Sequence, residues 1–255
     1  MSEERSPVAS IDRALRVLRV ISEHGRGVTL DELAARVGLP KSSLHRILGA
    51  LRHRGFAAQY EPGGPYFVGT ELLATAFRFH ENMDVRGLVH PLLARLRETT
   101  GETVRMAVLD GADVVYLDKI EAPRSITMTS VVGGRNGAHC TGVGKALLAW
   151  TYPTDEAITS WAARYGPLRA PTRATVTDPA GLAAQMAEIR RRGYALDLEE
   201  NEPGVRCVSA PVFMGRDVPL AAVSVTVLKE RLPASRAREL GETIRRLATE
   251  YGRTA

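Results

Sequence analysis

Residues 41–54, KSSLHRILGALRHR, hold Lys41, His45, Arg46, Arg52, His53 and Arg54, and no carboxylate occurs from Lys41 to Tyr60. A short cationic helix of this kind has the shape and charge that the DNA major groove accepts. Arg46 suits a bidentate contact to guanine, while Lys41, Ser42 and Ser43 suit phosphates at the helix N-terminus. His45 and Arg52 complete the candidate DNA-binding face. The alternative is a solvated basic face on a winged helix that binds protein. A second group is HCTGVGK, residues 139–145. It departs from the phosphate-loop pattern GxxxxGK[ST] twice, with His139 at the first glycine position and Ala146 at the closing hydroxyl position. The amides of Gly142 and Val143, opening a helix, instead suit a carboxylate or another anionic group. His139 and Cys140 are adjacent, and neighbours in an extended strand point to opposite faces, so Cys140 reads as a buried structural thiol.

The acidic run 197–202, DLEENE, reads as a solvated loop, with Asp197 set apart by its place at a strand end. Ser224 and Thr226, two apart in AAVSVTV, share a strand face, where bonding to a ligand and bonding to backbone fit equally. Asp197 and Glu199 have no partnering His, metal motif or nucleophile, which makes them poor candidates for an acid–base pair. Two distant cysteines, Cys140 and Cys207, give neither a disulfide framework nor a zinc site. No catalytic residues, cofactor or metal are expected, and the chain is not read as an enzyme.

The elements that must position these groups follow from patterning. Ser10 is expected to cap a first helix with Ala14, Leu15, Leu18 and Ile21 on one face. Thr29 and Glu32 form a capping-box pattern for a second, with Leu33, Ala34 and Val37 inward and Gly38 as its stop. Pro40 fits the first turn of the third, whose buried stripe is Leu44, Ile47, Leu48 and Leu51. Phe56–Tyr60 and Tyr66–Val68 alternate around Glu61-Pro62-Gly63-Gly64 as a hairpin. Together these spell a winged helix-turn-helix over residues 1–69. Thr70–Met83 reads as a linker helix, and residues 84–255 as an α+β domain. Strands are expected at Thr103–Leu109, Val114–Ile120, Ile126–Val131, Ala195–Asp197, Val205–Phe213 and Ala221–Leu228. Helices are expected at Val143–Trp150, Asp155–Arg164, Asp178–Arg192 and Pro233–Tyr251. The tight turn Asp110-Gly111-Ala112-Asp113 favours an antiparallel sheet.

The chain has 255 residues, a net charge of +5 and a pI near 9.5, a mild lean toward polyanions. The first residues, MSEERSPVAS, have no apolar core for a signal peptide, and no run reaches a membrane span, so a cytoplasmic chain without membrane contact is expected. The first seventy residues as a whole are only weakly basic, so the charge is focused on one helix. Few phosphate contacts per subunit follow, and useful affinity then needs two or more copies on one palindromic site.

SIDRALRVL, TLDELAARVGLPKSSLHRIL, GETVRMAVLDGADVVYLDKIEA, HCTGVGKALLAW and RRGYALDLEENEPGVRCVSAPVF, in that order, resemble an IclR-type transcriptional regulator, from about Ser10 to Leu228. The resemblance covers most of the chain. It implies an N-terminal winged helix-turn-helix, a C-terminal GAF-like domain that binds a small-molecule effector, and homodimers or tetramers on double-stranded DNA, acting as repressors or activators. It implies that Gly142 and Val143 line the effector pocket, that Asp197 is an effector-contacting carboxylate and that Cys207 lines the same pocket. It tips Ser224 and Thr226 toward the ligand, with Met128 as an apolar wall and Asn136 as a weaker candidate. A repressor is favoured over an activator. The rivals are an enzyme with an accessory DNA-binding domain and a ligand-blind architectural module.

Overall fold

The computed structural model describes residues 7–75, 85–122 and 131–254. The chain divides into two compact units, Met1–Asp84 and Val85–Ala255, each with its own core.

The first unit is built from α1 (Ala9–Ser22), α2 (Leu30–Val37), α3 (Lys41–His53) and the strands β1 (Ala57–Ala58) and β2 (Phe67–Val68). Ser10 is not the cap of α1: the cap position is Val8, without a side-chain bond, and Ser10 lies inside the helix. The buried stripe is also rotated from the expected one. Val17, Leu18 and Ile21 are buried, while Leu15 is 60% exposed. Leu15 is two residues from Val17, about 200° round a helix of 3.6 residues per turn, so the two cannot share a face. In α2 the capping box is present: Glu32 N–H donates to Thr29 Oγ1 (3.3 Å) and Thr29 N–H to Glu32 Oε2 (2.8 Å). Gly38 ends α2 in the left-handed region at φ 68°, which a side chain would oppose. Pro40 stands one residue ahead of α3, at its cap position, and Leu44 and Leu48 are buried against Val17, Ile21 and Leu33.

The hairpin strands are shorter than expected, two residues each, paired Ala57↔Val68 and Ala58↔Phe67. Tyr66 has a different partner: it exchanges both backbone hydrogen bonds with Val28 (2.9 and 2.8 Å) and so ties the wing to the segment before α2. Gly69 packs so closely that a Cβ there would run into the Gly55 carbonyl. Gly69→Ala must push the base of the wing open. We expect it to lower the stability of the first unit by about 1–3 kcal/mol, readable by denaturant titration.

Helix runs through residues 70–75, and the rest of the expected linker Thr70–Met83 lies outside the described residues.

The second unit opens with α4 (Val85–Thr100) and continues through β3 (Thr103–Asp110), β4 (Asp113–Ile120), β5 (Arg135–Gly137), α5 (Gly142–Thr151), α6 (Asp155–Tyr165) and α7 (Pro179–Arg192). It ends with β6 (Ala195–Leu198), β7 (Val205–Val212), β8 (Ala221–Leu228) and α8 (Ala234–Thr254). The strands form one antiparallel sheet in the order β5-β4-β3-β8-β7-β6. One face buries Val104, Met106, Val208, Val223 and Val225 under α4 and α8. On the other, Ala107, Ala195 and Ala222 pack beneath α5, α6 and α7. The short edge strand β5 was not expected from the sequence. Of the expected strand Ile126–Val131, residues 126–130 lie outside the described residues and Val131 is exposed coil.

Candidate functional site

In the first unit the surface of α3 opposite Leu44 and Leu48 presents Ser42, His45, Arg46 and His53 to solvent. Ser43 is half-buried and shares with Arg46 a groove between α3 and α1, also lined by Arg13 and Arg54. Lys41 forms an exposed ion pair with Asp31 (2.5 Å). Arg52 points to the wing: it donates to Gln59 Oε1 (2.9 Å), and Gln59 donates to the Gly64 carbonyl (2.8 Å). Arg52 thereby braces the hairpin that bears exposed Tyr60, whose ring contacts Phe67 with centroids 5.2 Å apart.

In the second unit, sheet register gathers polar side chains under the start of α5. β3 pairs Arg105 with Ser224 and Thr103 with Thr226 on β8. β7 pairs Cys207 with Thr226 and Ser209 with Ser224, and β6 pairs Asp197 with Cys207. Directly opposed residues share a sheet face, so these form one polar patch on the α5 side. Tyr116 joins it through a bulge. Ala107 pairs with Tyr116 but Met106 with Asp118, leaving Leu117 as the extra residue. The bulge flips the strand's phase, so Tyr116 faces α5 while Asp118, two residues on, faces α4 and accepts from His90 Nδ1 (2.6 Å).

Thr141 caps α5 by accepting from the Gly144 N–H (3.2 Å), which sets Gly142 and Val143 in the buried first turn of the helix. A Cβ at Gly142 would collide with Ser209 Oγ, so only glycine lets the helix start lie this close to the patch. Gly142, Val143, Asp197, Cys207 and Ser224 line one small void of about 10 Å³, together with Arg105, Tyr116, Thr141 and Asn201. Thr226 adjoins it, bonded to Cys207 Sγ (3.5 Å). Asn136 lies on β5 and reaches the Tyr116 hydroxyl (3.4 Å), on the wall of a neighbouring cleft of about 660 Å³. Asn201 and Glu202 line both spaces. Met128 lies outside the described residues.

Asp197 is 3% exposed, and burial pushes its carboxyl up to about 6, against the opposing pull of the Lys145 charge and the Glu200 N–H. The folded chain therefore holds this proton up to about pH 6, whereas the unfolded carboxyl releases it near 3.8. Folded protein binds more protons in that window, so its stability falls as pH rises from about 4 to about 6 and is level above. Two units correspond to about 3 kcal/mol. We expect Asp197→Asn to remove this part of the slope, so that its stability relative to wild type improves by about that amount between pH 4 and pH 7 in denaturant titrations.

Two expectations are corrected. The acidic run is not a solvated loop: Glu200 is 4% exposed and pairs with Lys145, itself 1% exposed, and its N–H donates to Asp197 Oδ1 (2.8 Å). Glu199, at φ 68°, accepts from Lys229 (3.1 Å), Arg206 (3.3 Å) and the Gly204 N–H (3.1 Å). Nor are His139 and Cys140 in a strand; they lie in the turn before α5, where His139 Nε2 meets the Arg169 carbonyl (2.7 Å). Burial pushes both the Cys140 and Cys207 thiols up to about 12, which leaves them poor nucleophiles.

Arg105, Tyr116, Asn201 and the Lys145–Glu200 pair were missed by sequence reasoning. Arg105 and Lys145 did leave a signal, each a lone cation at an inward position of an apolar element. Tyr116 left none, because its facing depends on a bulge. Among the described residues no three or more His, Cys, Asp or Glu side chains are grouped to hold a metal, and no helix is long and apolar enough to cross a membrane.

Residues 10–61 match the IclR helix-turn-helix domain, and residues 77–253 match the C-terminal domain of bacterial transcriptional regulators of the IclR type. The chain belongs to the IclR family. It is 35% identical to the transcriptional repressor IclR of Escherichia coli over 245 residues, covering 95% of this chain and 88% of that protein. The crystal structure of Thermotoga maritima IclR superposes with a TM-score of 0.75 at 28% identity, over 96% of this chain and 97% of that one. An IclR homolog from Microbacterium hydrocarbonoxydans, complexed with 4-hydroxybenzoate, has the same fold at 23% identity, with a TM-score of 0.80 over 96% of this chain and all of that one. This IclR-family protein is thus a DNA-binding transcriptional regulator with a helix-turn-helix unit and an α+β C-terminal domain.

Proposed function

We propose that this regulator acts as a repressor, binding a palindromic operator as a homodimer or tetramer through α3, and that a small metabolite seated beneath α5 modulates its grip. The observation that carries the reading is the polar patch: side chains from β3, β4, β6, β7 and β8 converge under a glycine-started helix inside an otherwise apolar domain. A filled structural core would bury apolar groups there, whereas here Ser209 Oγ is fully buried without a hydrogen-bond partner among the described residues. The void of about 10 Å³ holds no more than a water, and it is read here as the effector pocket in its closed form. The adjoining cleft, separated from it by Asn136, Tyr116 and Asn201, is the route by which a metabolite enters.

Lys41, Ser42, Ser43, His45 and Arg46 are assigned to DNA, with Arg52 acting through the wing. Gly142, Val143, Asp197, Cys207, Ser224 and Thr226 are assigned to the effector, with Asn136 and Met128 at its margin. Ligand binding changes operator affinity only by as much as it favours one subunit arrangement over another. A thermal-shift screen of metabolites on the full chain tests the pocket, because a ligand of the folded state raises its melting temperature. The expected result is a hit whose shift is lost in Gly142→Ala. Hits that all survive that substitution would place the ligand elsewhere.

A further inference from the structure

The groove between α1 and α3 has a make-up that DNA binding alone does not use. Ser43, Arg46, Ile47, Ala50, Leu51 and Arg54 line it from α3 and its cap, at spacings that alternate between three residues and one. That alternation keeps them on one stripe of the helix, and from Ser43 to Arg54 the stripe spans about 16 Å. Ser10, Arg13 and Ala14 of α1 form the facing wall, Phe56 adds to the lining, and the space enclosed is about 500 Å³.

Floor and rim differ in chemistry. Ala14, Ile47, Leu51 and Phe56 are half-buried and have no polar side-chain atom, so the floor is apolar. Arg13, Arg46 and Arg54 stand exposed on the rim, and no carboxylate lines the groove among the described residues. None of these three guanidiniums makes an ion pair or a hydrogen bond among the described residues. Other cations of the same unit are engaged: Arg16 with the Val37 carbonyl, Arg19 with Glu23, Lys41 with Asp31 and Arg52 with Gln59. A cleft of this volume, apolar within and with a few convergent charged groups, is built as small-molecule sites are built.

Charge and apolarity together choose the occupant. A second copy of this chain would bring the same three cations to the groove and be repelled. Duplex DNA neutralises guanidiniums with phosphates but offers little apolar surface to cover Ile47, Leu51 and Phe56. An amphipathic anion does both, burying its chain on the floor and placing its acid on the rim. A guanidinium presents paired donors that match the two oxygens of a carboxylate.

We propose that this groove binds a medium-chain fatty acid, its alkyl chain laid on Ile47, Leu51 and Phe56 and its carboxylate held by the rim arginines, and that the bound acid competes with DNA. Arg46 is the link, since the guanidinium assigned to base reading is the one the carboxylate draws aside. The competition rests on that assignment; the binding does not. The site lies wholly within residues 10–56, so it is separate from the pocket beneath α5 and acts at the reader itself.

The test uses the full chain with decanoate, acetate, 1-decanol and decyltrimethylammonium, all below micelle-forming concentrations. Binding is read by calorimetric titration and thermal shift, and competition by anisotropy of a labelled duplex DNA. Decanoate is expected to bind about 10-fold or more tightly than acetate and 1-decanol, because only it offers both chain and charge. Saturating decanoate should weaken DNA binding by about 5-fold or more, and decyltrimethylammonium should not. Arg13→Leu, which keeps apolar bulk and removes the charge, should lose the preference for decanoate over 1-decanol, and Arg13→Lys should keep part of it. Ala50→Glu, at an exposed position on the stripe, places a carboxylate in the groove and should abolish decanoate binding without a fall in melting temperature.

Decanoate that binds no better than acetate or 1-decanol overturns the proposal. So does binding that survives intact in both Arg13→Leu and Ala50→Glu, or that leaves DNA affinity unchanged. Equal loss of DNA affinity with decyltrimethylammonium would show detergent action in place of a site. Loss of decanoate binding in Gly142→Ala would put the acid in the C-terminal unit. If a helical peptide rich in leucine and glutamate binds and decanoate does not, the occupant is a protein; if Ala50→Glu lowers the oligomeric state, it is a second copy. Either result removes the fatty acid.

Discussion

Lys145→Met is expected to lower the stability of the C-terminal unit by about 3–5 kcal/mol, the largest effect of any single exchange considered for this chain. Lys145 and Glu200 are both almost wholly buried and paired to one another, and Glu200 Oε2 already has no hydrogen-bond partner among the described residues. Removing the ammonium leaves a buried carboxylate with Gln185 Nε2 at 3.5 Å as its remaining side-chain donor among the described residues. The damage reaches the effector site, because the Glu200 N–H is one of the two that hold Asp197 Oδ1. The double exchange Lys145→Met with Glu200→Leu should recover most of the loss, since an apolar pair in place of a buried ion pair is often neutral. Denaturant titration of the three variants measures both effects. A loss below about 1 kcal/mol in Lys145→Met would show that the pair is hydrated and contributes as a surface pair does.

The second large effect is on DNA. Arg46→Ala is expected to weaken operator binding by about 1–3 kcal/mol for each half-site, roughly 5- to 150-fold, and to bring it nearer to binding of random DNA. Arg46 is exposed on the face of α3 away from the core, so the loss should come without a fall in melting temperature. Arg52→Ala should act differently. Its guanidinium holds Gln59 and so the wing, and its removal should weaken specific and random DNA alike by loosening that hairpin. Fluorescence anisotropy on both DNAs at two salt concentrations separates the two. Equal affinity of wild type and Arg46→Ala for the operator would remove Arg46 from base reading.

Much of this molecule was legible because its signals are local. The capping box at Thr29 and Glu32, the left-handed Gly38 and the Leu44–Leu48 stripe depend on residues within one or two turns, and each is where the patterning put it. In the C-terminal unit β3, β4, β6, β7, β8 and helices α5 to α8 likewise begin and end within a few residues of the expected positions. What could not be read is set by partners distant in sequence. The stripe of α1 depends on how that helix docks on α2 and α3, which decides between Leu15 and Val17. Tyr116 faces the pocket only through the bulge at Leu117. The burial of Glu200 depends on Lys145, fifty-five residues earlier, and an acidic run gives no hint of such a partner. Arg52 looked like one more cation on a basic helix, and its engagement with Gln59 appears only once the hairpin folds back.

Occupancy beneath α5 must be felt at α3 if the C-terminal unit is a sensor for the helix-turn-helix unit. The direct measurement is operator affinity of the full chain, by anisotropy, with and without a saturating concentration of a compound that stabilises wild type but not Gly142→Ala. The predicted result is a change in affinity of about 5-fold or more in wild type and none in Gly142→Ala, whose ligand-free affinity for the operator matches wild type. A compound that occupies the pocket while operator affinity stays the same would contradict the coupling of sensor to reader.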